Sequence, residues 1–134
     1  MDTKAENTVQ YIARIDLTKY RAVSADVATD RLVLTENQRK HIIDRRGEAF
    51  FKAFFPYFQE IAENPDYIFC DRKRENTAIA SKTLEMNGQH VNLVIRLAVA
   101  SDEGKENSII TAIAENDKRY AQRLRNNMPL YKRE

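Results

Sequence analysis

His41 is one of two histidines in a chain of 134 residues, and imidazole is the side chain whose unperturbed titration falls nearest neutrality. On a helix, Asp44 and Arg45 stand three and four positions further on and share its side. The carboxylate would orient the ring and the guanidinium would bind an anion, a pairing suited to proton transfer beside a phosphate. The plainer reading is a surface histidine with no task, since a lone histidine is weak testimony. Lys82 interrupts a β-rich run of small and apolar residues, and its placement depends on the turn Met86-Asn87-Gly88-Gln89. Asn-Gly between such runs is the strongest short-range hairpin signal. A two-residue loop sets Lys82 opposite Leu93, with a charge on the core face, which is costly. A three-residue loop pairs Met86 with His90 and gathers Lys82, Asn92 and Arg96 on the other face. The second register is therefore expected, with Lys82 and Arg96 as a cationic pair on an open sheet surface. The plainer alternative is a snorkelling edge lysine and a solvated arginine.

Net charge is only +2, so the sum carries no mandate for nucleic acid; its distribution says more. Between Asp117 and Glu134 six basic residues face two acidic ones, among them Arg119, Arg123 and Arg125. Arg72-Lys73-Arg74 forms a second cluster. Both are also what an ordinary solvated surface looks like. Cys70 is the single cysteine, which excludes an internal disulfide and argues for a reducing compartment. His41, His90 and Cys70 show no metal-ligand spacing, and no glycine-rich phosphate loop is present, so no cofactor is expected. His90, at a hairpin end, reads as exposed and inert. No apolar run is long enough to span a membrane, and the N-terminus lacks a secretion signal.

The elements that must position these groups read as one α+β domain over residues 1–134, with residues 1–30 as an N-terminal extension carrying a short strand. With 43% apolar and 31% charged residues the composition is that of a folded domain. Val9 to Ile15 suggests an edge strand, Asp16 to Asp30 carries no firm signal, and Arg31 to Leu34 reads as a brief strand. Thr35 with Gln38 makes a capping box, which predicts a helix to about Arg46 stopped by Gly47. Phe50, Phe51, Phe54, Phe55, Phe58, Ile61 and Ala62 recur at helical spacing, with Pro56 forcing a kink or break. Strands follow at Tyr67–Cys70, Thr77–Glu85, His90–Ala100 and Ser108–Ala114, with Val91, Leu93, Ile95, Leu97 and Val99 on the core face. A basic helix, about Asn116 to Asn127, closes the domain through Tyr120 and Leu124. The order predicts N-terminal helices packed on an antiparallel sheet of about four strands, and the lack of βαβ alternation speaks against parallel pairing.

Several runs together resemble the phage Barnase-EndoU-Colicin-RelE-like nuclease domains. They are Leu32-Val33-Leu34-Thr35-Glu36 with Arg39-Lys40-His41-Ile42, then Glu63-Asn64-Pro65-Asp66-Tyr67-Ile68, and Asn76-Thr77-Ala78 leading to Lys82. Asn107-Ser108-Ile109-Ile110-Thr111, Lys118-Arg119-Tyr120, Leu124-Arg125-Asn126 and Leu130-Tyr131-Lys132 complete the set in family order.

The resemblance implies a small ribonuclease-like fold with substrate on the open face of the sheet, and RNA cleavage without metal by attack of the 2′-hydroxyl. The residues' own reading and this resemblance together give the expected site as His41, Lys82, Arg96 and Thr111 for the chemistry, with Arg45, Arg46, Ser108, Arg119, Arg123 and Arg125 holding substrate. Ser108 and Thr111 point to opposite faces of one strand unless a bulge intervenes. Tyr120 would either stack on a base or pack with Leu124. Implied partners are RNA, transfer RNA among them, and a host or phage protein, in a cytoplasm that would be the host cell's for a phage-encoded protein. The chain departs from the family where members often carry a His-Pro pair near the end of the first helix, since it has Arg46-Gly47. That departure opens a second reading, an interaction module that binds RNA or a host protein without cutting. A third is a structural subunit, which would show an exposed apolar patch and a stable oligomer.

Overall fold

The computed structural model describes residues 8–85, 89–102 and 104–133. Strand β1 (Val9–Arg14) and β2 (Arg31–Thr35) flank a single-turn helix, α1 (Leu17–Tyr20). Helix α2 (Glu36–Arg46) begins where Thr35 accepts the Gln38 N–H through its hydroxyl and ends at Gly47, whose φ of 98° suits a residue without Cβ. Helix α3 (Glu48–Phe54) passes through a 3₁₀ turn at Phe55–Tyr57 into α4 (Phe58–Glu63), so the break expected at Pro56 is present. Four strands then run as an antiparallel meander: β3 (Tyr67–Cys70), β4 (Thr77–Thr83), β5 (His90–Arg96) and β6 (Asn107–Glu115). Helix α5 (Asp117–Asn126) is capped by Asn116, and β7 (Tyr131–Lys132) closes the order.

Among the described residues the sheet has seven strands in the order β1-β2-β6-β5-β4-β3-β7, which corrects the expectation of about four. The meander forms its centre; the β1–β2 hairpin joins one side and β7 the other. The join at β6 is parallel, Leu32 with Asn107 and Val33 with Ser108, where sequence order had spoken against parallel pairing. One buried side chain secures it. Asn107 donates to the Thr29 and Arg31 carbonyls at 2.7 and 2.9 Å and accepts from the Ala98 N–H at 2.8 Å, tying β6 to the entry of β2 and the exit of β5. The unassigned stretch from Asp16 to Asp30 folds as α1 and a bridge between Val27 and Val99.

Helices α1 to α4 lie on one face of the sheet. Ile42, Phe51, Phe54, Phe58 and Ile61 pack there against Leu32, Leu34, Leu93, Ile95 and Ile109 as one core. Tyr20 is fully buried in it and donates its hydroxyl to the Ala62 carbonyl at 2.7 Å; burial holds that phenol well above its ordinary range. Helix α5 covers part of the opposite face, where Tyr120 packs on His90. No helix of the described residues is long and apolar enough to cross a membrane.

The β4–β5 register corrects the hairpin reading. Thr83 pairs with His90, Lys82 with Val91 and Ile79 with Val94, and the Leu84 N–H donates to the Gln89 carbonyl at 2.8 Å. The predicted turn residues Met86, Asn87 and Gly88 lie outside the described residues. Paired residues share a face, so Lys82 sides with Val91 and the helices while Arg96 and Ile79 face the other way. The charge is tolerated because Lys82 stands where α4 ends: Nζ donates to the Asn64 carbonyl at 2.8 Å, with Asp66 at 3.7 Å and Glu60 at 4.0 Å.

Candidate active site on the open face

The residues proposed from sequence do not converge. His41 and Arg45 are exposed on α2, in the helical layer, and no hydrogen bond among the described residues joins His41 to Asp44. Arg46, also on α2, donates Nε to the Ala112 carbonyl at 3.1 Å, capping the edge of β6 beyond the end of β2. Lys82 is a clasp on the same side of the sheet. Arg96 lies on the opposite face, donating to the Leu97 carbonyl and to Asp102 at 3.4 Å. The expected Lys82–Arg96 pair therefore does not exist, because the register is shifted by an odd number of residues.

A second expectation fares better. Val94 pairs with Thr111 but Ile95 pairs with Ile109, leaving Ile110 as an extra residue in β6. This bulge resets the alternation, so Ser108, opposite Arg96, and Thr111, opposite Val94, both face the side that α5 partly covers.

At the far end of that face the same alternation brings up His90 and its partner Glu115, with Asn92 beside them. Glu115 is only 7% exposed. It accepts from Asn92 Nδ2 at 2.6 Å and from Arg123 Nε at 2.9 Å, and a second bond from Arg123 comes through Nη2 at 3.1 Å. Burial alone would raise its pKa; the bonds from Arg123 and Asn92 and the field of Arg119 outweigh that and hold it below the usual carboxylate range. Helix α5 makes this geometry. Arg119 and Arg123 are one turn apart, and with Gln122 they wall an open cleft of about 270 Å³ that ends at Glu115.

His90 is not the exposed residue expected from its hairpin position. It is 8% exposed, stacked on Tyr120 at 3.9 Å between ring centroids, with Nδ1 2.7 Å from Thr83 Oγ1 and Nε2 2.7 Å from Asp117 Oδ1. Asp117 is open to solvent, so the ring is buried yet linked to the surface. Tyr120 packs on this histidine rather than in the main core, and burial pushes its hydroxyl up to about 12. Its Oη, Ser81 Oγ and Asn92 Oδ1 are buried without a hydrogen-bond partner among the described residues. Sequence reasoning missed Glu115, Asn92 and His90. The alternation through β5 carried a signal, since Asn92 and Arg96 were already placed on the non-core face and His90 belongs to the same set. Among the described residues no three His, Cys, Asp or Glu side chains form a metal-binding group.

A helical layer on one face of a mostly antiparallel sheet, with a carboxylate and two arginines in a cleft on the other, makes this a small α+β domain with a cationic cleft. The chain belongs to the phage-Barnase-EndoU-ColicinE5/D-RelE like nuclease 2 family, whose model matches residues 9–132. No curated protein and no solved structure matches it.

Proposed function

We propose that the domain cleaves RNA without a metal ion, in the cleft between α5 and β6. The observation that carries this reading is the Glu115 carboxylate, held by Arg123 and Asn92 at the end of a cleft that Arg119 and Arg123 make cationic. The two guanidinium groups seat the scissile phosphodiester and stabilise the charge that builds on its oxygens. Arg123 then shifts its bonds from the carboxylate to the phosphate, and the freed, buried Glu115 becomes a stronger base that accepts the 2′-hydroxyl proton. The 2′-oxygen forms its bond to phosphorus and the bond to the 5′-oxygen breaks, leaving a 2′,3′-cyclic phosphate. The departing 5′-oxygen takes its proton from water in the open cleft, while His90, opposite Glu115 in the register with its ring nitrogens bonded to Thr83 and Asp117, holds the end of β5 in place. Arg125, exposed on α5, together with Ser108, Thr111 and Arg96 on the uncovered sheet, would contact the flanking backbone.

The test is purified protein with labelled RNA in EDTA at low salt. Cyclic-phosphate ends are expected, with Glu115→Gln lowering the rate by roughly 100-fold or more. Absence of cleavage, or full activity in the Glu115→Gln protein, overturns the catalytic reading. One observation favours a second reading, a module that binds RNA without cutting: Glu115 is locked in an ion pair with a lowered pKa, which makes it a weak proton acceptor near neutrality. Such a module would retard RNA in a gel and leave it intact.

A further inference from the structure

The catalytic cleft does not end at Arg123. Together with Asn127, that residue also lines a second depression, of about 170 Å³, on the other side of the C-terminal end of α5. Its floor is the half-buried Ile79 of β4, backed by Phe69 of β3, which is buried and pairs with it across the sheet on the face that carries Glu115. Its rim is the basic turn after β3, with Arg72 and Lys73. That turn is built in advance: Asp71 accepts from the Lys73 N–H and from Arg74, both at 2.8 Å, and Arg72 donates to the Asn126 carbonyl at the end of α5, also at 2.8 Å.

We infer that this depression receives a nucleobase of the RNA whose phosphate is seated at Arg119 and Arg123. An apolar floor with a guanidinium at its rim fits the flat face of a base, and the continuity through Arg123 sets the base next to a bound phosphate. The substrate class follows: a base can enter only if it is unstacked and unpaired, so the domain acts on single-stranded or looped RNA rather than on duplex. The inference rests on the reading of the Glu115 cleft as the phosphate site.

A readout independent of cleavage is affinity for a 2′-O-methyl oligoribonucleotide, which has no free 2′-hydroxyl to attack, against that for an abasic backbone of equal length. The base-bearing oligomer is expected to bind at least about tenfold more tightly. Arg72→Ala with Lys73→Ala should narrow that difference to about twofold or less. Equal affinity for the two oligomers, or a difference that the double variant leaves unchanged, overturns the base site while leaving cleavage at Glu115 standing. Failure of the oligomer to bind at all removes both readings.

Discussion

Glu115 is held in an ion pair whose contribution to stability depends on pH. Its folded-state pKa lies below the unfolded value, so its ion pair contributes fully at pH values above the ordinary carboxylate range and that contribution is lost as pH falls through the lowered value. Glu115→Gln should therefore cost roughly 1–3 kcal/mol in denaturant unfolding at neutral pH, with the gap from the parent protein closing in strong acid; a gap that does not move with pH would contradict the pairing. Lys82 provides the contrast. Its ammonium meets the Asn64 carbonyl and Asp66 on the helical side of the sheet, so Lys82→Met should lower stability by roughly 1–3 kcal/mol. Cleavage per folded molecule should stay within about twofold of the parent protein, and a larger loss with unchanged stability would return Lys82 to the chemistry. Residue chemistry was legible only in part. Arg119, Arg123 and Arg125 stood out as charge on one helix, but Glu115 ends the strand before that helix, and its meaning depends on Asn92, 23 residues away in the chain.

Local signals were legible where they act locally. Thr35 caps α2, Gly47 stops it and Pro56 breaks the next helix, each through the backbone of its near neighbours. Gly47→Ala should cost about 1 kcal/mol or more in thermal or chemical unfolding, because φ of 98° strains any residue with a Cβ. The β4–β5 register could not be read in the same way. Ala78, Ala80 and Ser81 are small enough to suit either face, so the strand pattern failed to override the Asn-Gly turn signal, and what decided it was the acceptor group that the end of α4 offers Lys82. The parallel join was hidden for a similar reason: it is secured by the Asn107 side chain, which donates to the Thr29 and Arg31 carbonyls at the entry of β2 and accepts from the Ala98 N–H after β5. Asn107→Leu should cost roughly 2–4 kcal/mol, since buried partners are left unpaired; a change under about 0.5 kcal/mol by denaturant titration would show that the join does not need it.

Cations stand on both sides of the sheet: α2 carries Arg39, Lys40, Arg45 and Arg46 in the helical layer, while the opposite side holds Arg119 and Arg123 over the cleft with Arg72 and Lys73 near them. Affinity for single-stranded RNA should fall linearly with salt on logarithmic axes, and replacing Arg119 or Arg125 by alanine should each reduce that slope by about 0.7. Filter binding at several salt concentrations measures it; unchanged slopes would place the RNA elsewhere. The same layout bears on how the chain folds. Phe51, Phe54 and Phe58 must find Ile109 and Ala112, about fifty residues later in the sequence, before their apolar faces are covered. During synthesis the helical half thus emerges with a sticky surface and no sheet to close it, which marks that intermediate for chaperone capture or self-association, and it holds no cleft until β6 and α5 arrive. On the proposed activity, a nascent copy would leave its own messenger intact until the last quarter of the fold has been translated.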